Sequence, residues 1–350
     1  MGGEASGAEQ DGVVLLRAEL DEGEVLCSAS LVGPNLLLTA RHCVAYLTEG
    51  QFSCTVRGEP TDNPTGGGRL GLHLPAADLE VYGRKTPRKT ILAHGLRIIS
   101  TQSPTPCRND LAFVVLDTAL DLPLVPLRLG RSAQAHELGV LVGYGLDGEQ
   151  QAIDYRTQAR AQRRDLEIEA VGPDSISDGV TTVPPRSLLL QGPSGCIGDS
   201  GGPLLSQETG AILGVYSLQR GESCTAPGVV HRLTHVPPFR ALIDEAFTAA
   251  GGEPVPEPTG EAGAAGAANV NGPAAEAGAA NEPSEAGGAG GAPNANAAGT
   301  PATAPPRPEP ARRASCGFAG RTVGHDPACW LALLVGATAV QRRRAARELG

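Results

Sequence analysis

Lysine is nearly missing: two of the 28 basic residues are Lys and the rest are Arg. So uniform a bias reads as coding preference and carries no chemistry. Aromatics are scarce, at 3% of 350 residues. Residues 1–250 hold no basic patch and no basic stretch interleaved with aromatics, which excludes a broad nucleic-acid binder. No run of 18 or more apolar residues occurs, which excludes a protein of many membrane spans. No C-x-x-C pair occurs, so metal sites built on tight cysteine pairs are excluded as well. The N-terminus Met1–Asp11 is polar, without a basic start or an apolar stretch, so the chain as written has no signal peptide.

What is present divides the chain into blocks. Residues 251–310 are almost all Ala, Gly, Pro, Glu and Asn, with seven Glu and one Arg. Residues 311–350 carry seven Arg, one Asp and one Glu. The whole chain has a net charge of −10, which leaves about −9 for residues 1–250. Six of the eight cysteines lie in that first block (Cys27, Cys43, Cys54, Cys107, Cys196, Cys224), and Cys316 and Cys329 lie in the tail. An even number of Cys in a Gly- and Pro-rich domain points to disulfides and an oxidising compartment.

Residues 1–250 read as many short strands. Val13–Leu16, Ser28–Leu31, Leu36–Thr39, Leu111–Leu116, Gly139–Val142, Arg186–Leu190, Pro203–Leu205 and Ile212–Ser217 are short apolar or alternating runs punctuated by Gly, Pro, Asn and Asp. This pattern predicts an all-β domain. One helix is expected late: after Pro237–Pro238, the residues Phe239, Leu242, Ile243, Ala246 and Phe247 fall on one helical face, and Gly251–Gly252 ends it. Residues 251–315 lack aromatics and nearly all large aliphatics. They cannot bury enough surface to offset the entropy of ordering, and read as a disordered linker. Residues 316–350 contain the uncharged run Ala328–Val340, with Trp330, followed by Arg342, Arg343, Arg344 and Arg347. As a helix, thirteen residues span about 20 Å, short of the roughly 30 Å hydrocarbon core unless flanking residues extend them. The order of linker, Cys316, apolar run and Arg cluster resembles the C-terminal sorting tails of myxobacterial exported proteins. That resemblance implies a membrane contact through the tail alone, with the Arg cluster cytoplasmic, and a sorting or processing protease that acts on it.

Three segments carry chemistry. They are Leu38-Thr39-Ala40-Arg41-His42-Cys43, Asn109-Asp110-Leu111-Ala112-Phe113 and Gly198-Asp199-Ser200-Gly201-Gly202-Pro203. A Ser among glycines sits on backbone that turns sharply and leaves N–H groups for an oxyanion. Ser is a poor nucleophile without an adjacent base. His42 follows an apolar run and precedes a Cys, so a rigid element holds it. Asp110 opens an apolar strand, where a partly buried carboxylate can orient an imidazole. Each segment alone has a bland explanation as a cap, a loop or a structural His. Together, in the order His, Asp, Ser, they make a nucleophilic triad the stronger reading.

Residues 2–250 resemble the trypsin/chymotrypsin family of serine endopeptidases, through TA-x-HC, GDSGGP and that triad order. The resemblance implies two six-stranded antiparallel β-barrels with a C-terminal helix. It implies Ser200 as nucleophile, His42 as general base and acid, and Asp110 as its orienter. It assigns the oxyanion hole to the N–H groups of Gly198 and Ser200, and to Ser217 a hydroxyl contact with the buried Asp. Val142-Gly143-Tyr144-Gly145 matches the family's Gly-Trp-Gly turn, with Tyr in place of Trp. Cys27 and Cys43 match the bridge beside the catalytic His, and Cys196 and Cys224 the bridge beside the specificity pocket. Cys54 and Cys107 remain and are expected to pair, the alternative being two free thiols. His42 and Asp110 stand 68 residues apart, longer than usual for the family, so Arg57–Pro106 reads as an insertion.

The same resemblance places Ser194 at the base of the primary pocket, with Ser217, Gln219 and Gly228 around it. Ser194 cannot compensate a desolvated cation, so cleavage after a neutral residue, apolar or medium-sized, is expected. Asp199 is implied as the partner of a freshly cut α-amino group. Gly2-Gly3-Glu4 looks like the remainder of the family's apolar start, and the expectation is that the true start lies upstream. No metal and no organic cofactor is expected. The substrates implied are proteins or peptides, and the location is secreted or at the cell surface. The reading from another class is a catalytically silent, protease-like surface binding module.

Overall fold

The computed structural model describes residues 3–259, apart from 21–22, 48–53, 56, 60–68, 89, 147, 149–153, 176–181 and 222. Most of the expected linker 251–315 and all of the expected tail 316–350, with Cys316, Cys329 and the apolar run, lie outside the described residues.

Six strands close into an antiparallel barrel. They run Val13–Leu20, Gly23–Gly33, Leu36–Thr39, Ala112–Leu116, Ala93–Ser100 and Leu79–Tyr82 around its circumference, and the last pairs back onto the first through Leu16↔Val81 and Ala18↔Leu79. Leu36, Leu37 and Leu38 are all buried. An unbroken apolar triplet suits a strand covered on both faces, each Leu contributing about 1.5–3 kcal/mol. The helix Arg240–Ala250 covers the barrel with Ile243, Ala246 and Phe247. Gly251 ends it at φ +74, a left-handed cap that lacks the usual Cβ penalty.

The second half is an eight-stranded antiparallel sheet. Its order is Glu4–Ala5, Ala161–Glu167, Leu138–Gly143, Pro203–Ser206, Ile212–Arg220, Val230–His235, Ser187–Gln191 and Ala170–Val171. Six long strands are present, as the resemblance implies, and each edge gains a strand of two residues, but among the described residues this sheet stays open where a second closed barrel was expected. The whole is the chymotrypsin-like fold, all-β with one C-terminal helix.

Two readings of the sequence need correction. Arg57–Pro106 is not wholly an insertion, because it supplies two of the six barrel strands, Leu79–Tyr82 and Ala93–Ser100. Exposed Leu96 and Arg97 in the second of these hide its period. The packed chain also continues past Ala250. Arg128 is fully buried, and its guanidinium donates to Glu137 at 2.5 Å and to Glu257 at 2.8 Å. Glu257 lies in the Ala/Gly/Pro/Glu block, but a carboxylate facing a buried cation is held there by the cost of leaving that cation unpaired.

His231 and His235, 0% and 2% exposed, are both pushed down to about 4. Burial is the main cause, helped by the charge of Arg163 on one and Arg128 on the other. Their ordinary value in the unfolded chain is 6.5. Between those values the unfolded chain takes up protons that the fold refuses, so stability is lost as pH falls from about 6.5 toward about 4 and is unaffected above that range. The expected loss is on the order of 3 kcal/mol per imidazole. Urea unfolding at pH 7 and pH 4.5 measures it, and replacing both residues with Gln should flatten the difference.

Candidate active site

His42 sits in the 3₁₀ turn Arg41–Cys43, directly after the barrel strand Leu36–Thr39. The disulfide Cys27–Cys43 fixes that turn to the strand Gly23–Gly33. Asp110 stands two residues before the strand Ala112–Leu116, which is the neighbour of Leu36–Thr39 in the barrel. The two residues, 68 apart in sequence, therefore come together across adjacent strands. The His42 Nδ1 lies 2.7 Å from one Asp110 oxygen, and the His42 backbone N–H donates to the other at 2.9 Å. This double contact fixes both the position and the tilt of the imidazole.

Ser217, from the second sheet, donates its hydroxyl to Asp110 at 2.5 Å, and Thr234 donates to the Asp110 carbonyl at 3.0 Å. Asp110 is fully buried. Burial alone raises a carboxyl pKa. Here the charge of His42 and the hydrogen bonds from His42 and Ser217 outweigh it and hold the Asp110 carboxyl below its ordinary range. Arg41, itself buried, adds a positive charge that acts on Asp110.

Ser200 is half-buried on the turn that leads into the strand Pro203–Ser206. Backbone contacts tie its turn to the strands that neighbour the His–Asp pair. Its carbonyl accepts from the Ser28 N–H at 2.8 Å, next to the bridged Cys27. Gly201 N–H donates to the Tyr216 carbonyl at 2.9 Å, next to Ser217. Gly201 has φ +80, and a Cβ there would stand 2.1 Å from Thr39 Oγ1. The Gly following Ser200 is thus required by conformation and by space. Gly198 has φ +96. Among the described residues, the N–H groups of Gly198 and Ser200 have no acceptor, which is the state an oxyanion site needs.

Asp199 does not lie bare. Its carboxylate accepts from the N–H groups of Gly145 and Cys196 at 2.8 and 2.9 Å. A Cβ at Gly143 or Gly145 would fall 2.3 or 2.2 Å from its oxygens, so the Gly-Tyr-Gly turn is shaped to this carboxylate. Asp199, Gly143, Gly145, Ser194 and Gly3 border a small cavity of about 20 Å³. The strand Glu4–Ala5 pairs with Ala161–Gln162 beside it.

The pocket residues separate. Ser194 is completely buried, and among the described residues its hydroxyl has no partner. Gln219 is exposed on the strand Ile212–Arg220. Gly228 is exposed in a turn, where a Cβ would meet nothing within 4 Å. The Ser217 hydroxyl is spent on Asp110 rather than on a pocket. Three disulfides form among the described residues: Cys27–Cys43, Cys54–Cys107 and Cys196–Cys224. Two of the sulfurs, those of Cys27 and Cys43, lie within metal-ligand reach of His42. Metals bind thiolates, and these are oxidised.

One residue of the site escaped sequence reasoning. Ser28 Oγ donates to the Gly198 carbonyl and accepts from the Tyr144 N–H, both at 2.9 Å, and its carbonyl accepts from Thr39 at 2.9 Å. The only signal was a hydroxyl directly after Cys27, and the same strand holds a second one at Ser30.

A closed six-stranded barrel, a second antiparallel sheet, a covering helix and a His–Asp pair at their meeting define the chymotrypsin-like class. The chain belongs to the trypsin family, which it matches over residues 4–243. Trypsin-1 of Astacus astacus is 25% identical over 212 residues, 58% of this chain and 79% of that protein. The crystal structure of the scabies mite inactivated protease paralogue S-I1 shares the fold, with a TM-score of 0.51 at 17% identity. The match covers 71% of this chain and all of that one.

Proposed function

We propose that this protein is a serine endopeptidase working through a covalent acyl-enzyme, with peptides or proteins as substrates. The observation that carries the reading is the fully buried Asp110 held on both His42 Nδ1 and the Ser217 hydroxyl. A buried carboxylate in that place holds an imidazole in the tautomer whose Nε2 takes a proton. Ser200 attacks the scissile carbonyl and His42 removes its proton. The N–H groups of Gly198 and Ser200 receive the developing oxyanion, each donor worth about 3–4 kcal/mol. His42 then passes the proton to the leaving amine, and water repeats the cycle on the acyl-enzyme. Ser194 itself carries no charge to pair a basic side chain, so a neutral residue precedes the bond cut. Three disulfides and this family membership support a protein that works outside the cytoplasm. The sorting tail belongs to the same proposal and rests on the sequence alone.

The test is intact mass of the natively exported protein with and without a fluorophosphonate probe, beside a Ser200→Ala control. One adduct, absent from the control, is expected. A properly folded protein that takes no adduct would turn the reading toward a silent binding module.

Ser28 carries a smaller prediction. Ser28→Ala deprives the Gly198 carbonyl of its donor and leaves the buried Tyr144 N–H unpaired, at a cost of about 1–3 kcal/mol. With the peptide before Asp199 released, kcat is expected to fall roughly tenfold or more, since 1.4 kcal/mol is a factor of ten. KM for a small peptide should hardly move. An unchanged kcat in steady-state assays would remove Ser28 from the site.

A further inference from the structure

The family resemblance places a side-chain space beside Ser200, at Ser194, Ser217, Gln219 and Gly228. Cys196–Cys224 braces the segment that follows Ser194, and the pairing Gln219↔His231 joins the strand of Ser217 to its neighbour. On the peptidase reading above, on which this inference rests, the space receives the side chain that precedes the scissile bond. A ring packs on the residue that follows Ser194. The Tyr216 ring lies so close over Gly195 that a Cβ there would stand 2.2 Å from one ring carbon and 2.6 Å from another. The Tyr216 hydroxyl is 2.7 Å from His231 Nδ1, and the two rings sit 5.6 Å apart at a 41° tilt. Tyr216 is 3% exposed, and His231 and Ser194 are 0% exposed.

We infer that Tyr216 is a built-in plug of the primary specificity pocket, so that only Gly or Ala fits before the bond that is cut. Three observations converge on it. First, the ring lies across its own strand and the adjacent one, with its hydroxyl against His231. Second, Gly195 has given up its side chain to admit the ring. Third, Ser194, next to Gly195, is fully buried, and among the described residues its hydroxyl has no partner, so no substrate group reaches the base. The rim stays open: Ile197 is 55% exposed and Gln219 is exposed, which leaves a shallow lip for a methyl group. The expected apolar or medium-sized preference therefore narrows to the smallest side chains.

The test uses the exported full chain and peptide anilides differing only at the position before the scissile bond, carrying Gly, Ala, Leu, Phe or Arg. For the unchanged protein, kcat/KM for Ala should exceed that for Phe by about 100-fold or more, since one methylene already discriminates by about 10–200-fold. Tyr216→Phe keeps the ring and should keep the preference. Tyr216→Gly or Tyr216→Val should bring Phe or Leu to within tenfold of Ala. If both smaller variants fail to fold, the profile of the unchanged protein still decides. Cleavage after Phe or Leu as fast as after Ala, with Ser200 taking the probe, overturns the plug and leaves the peptidase intact. Failure of Ser200 to take the probe overturns the peptidase reading, and the plug with it.

Discussion

Ser200→Ala is expected to abolish turnover, with kcat falling by roughly 10⁶-fold, the scale on which loss of one member of such a unit acts. The structure also says what should not change. The bond that anchors this turn to Ser28 comes from the Ser200 carbonyl, and the neighbouring bonds from the backbone of Gly201 and Gly202. None of them uses the side chain. The variant should therefore unfold within about 0.5 kcal/mol of the parent, as substitutions that touch no buried network do. Both readouts come from one preparation: progress curves on a peptide anilide, and urea unfolding. A variant that keeps a hundredth of the parent rate would show that Ser200 is not the nucleophile. A variant that loses activity together with stability would show only that the turn had collapsed.

Asp110→Asn is expected to lower kcat by about 10⁴-fold, the loss associated with a wrong imidazole tautomer. The number of hydrogen bonds explains why an isosteric change does so much. The Asp110 carboxylate accepts from the His42 N–H, from His42 Nδ1 and from the Ser217 hydroxyl. An amide offers one accepting oxygen and an NH₂ that only donates. If the oxygen faces the His42 backbone, the NH₂ faces Nδ1. His42 must then accept there and carry its proton on Nε2, where it cannot act as a base. The counter-charge for the imidazolium is lost as well. Activity should recover partly at high pH if hydroxide replaces the base. A fall of less than tenfold would mean that Asp110 only packs the turn. Ser217→Ala, which removes one donor to the same oxygen and leaves the tautomer correct, should cost far less, and the comparison separates orientation from tautomer.

Much of the site was legible because its chemistry is written locally. His42 abuts Cys43, Ser200 stands among glycines, and Asp110 opens a buried strand. Short motifs reveal themselves where backbone conformation and function constrain the same few residues. Strands with continuous apolar runs, such as Leu36–Thr39, were legible for a similar reason, since burial on both faces leaves a one-dimensional mark. Other strands were not. Ala161–Glu167 and Val230–His235 hold Arg, Gln, Asp and His in the sheet, and their pairing comes from neighbours distant in the chain. The reach of the packed unit to Glu257 was hidden too. Composition marks that block as linker, and only the buried Arg128 gives its carboxylate a place.

From the sequence by itself came the trypsin-family resemblance, the order of the candidate residues His42, Asp110 and Ser200, and the all-β character, because each depends on residue types and spacings that a chain carries wherever it folds. Tertiary structure alone decided the accommodation of Asp199 by backbone N–H groups, the bridging role of Ser28, and the packing of the Tyr216 ring on Gly195 and His231. Each of these is a meeting of side chains and backbone from separate strands, and the space left when those strands pack has no counterpart in the linear order of residues.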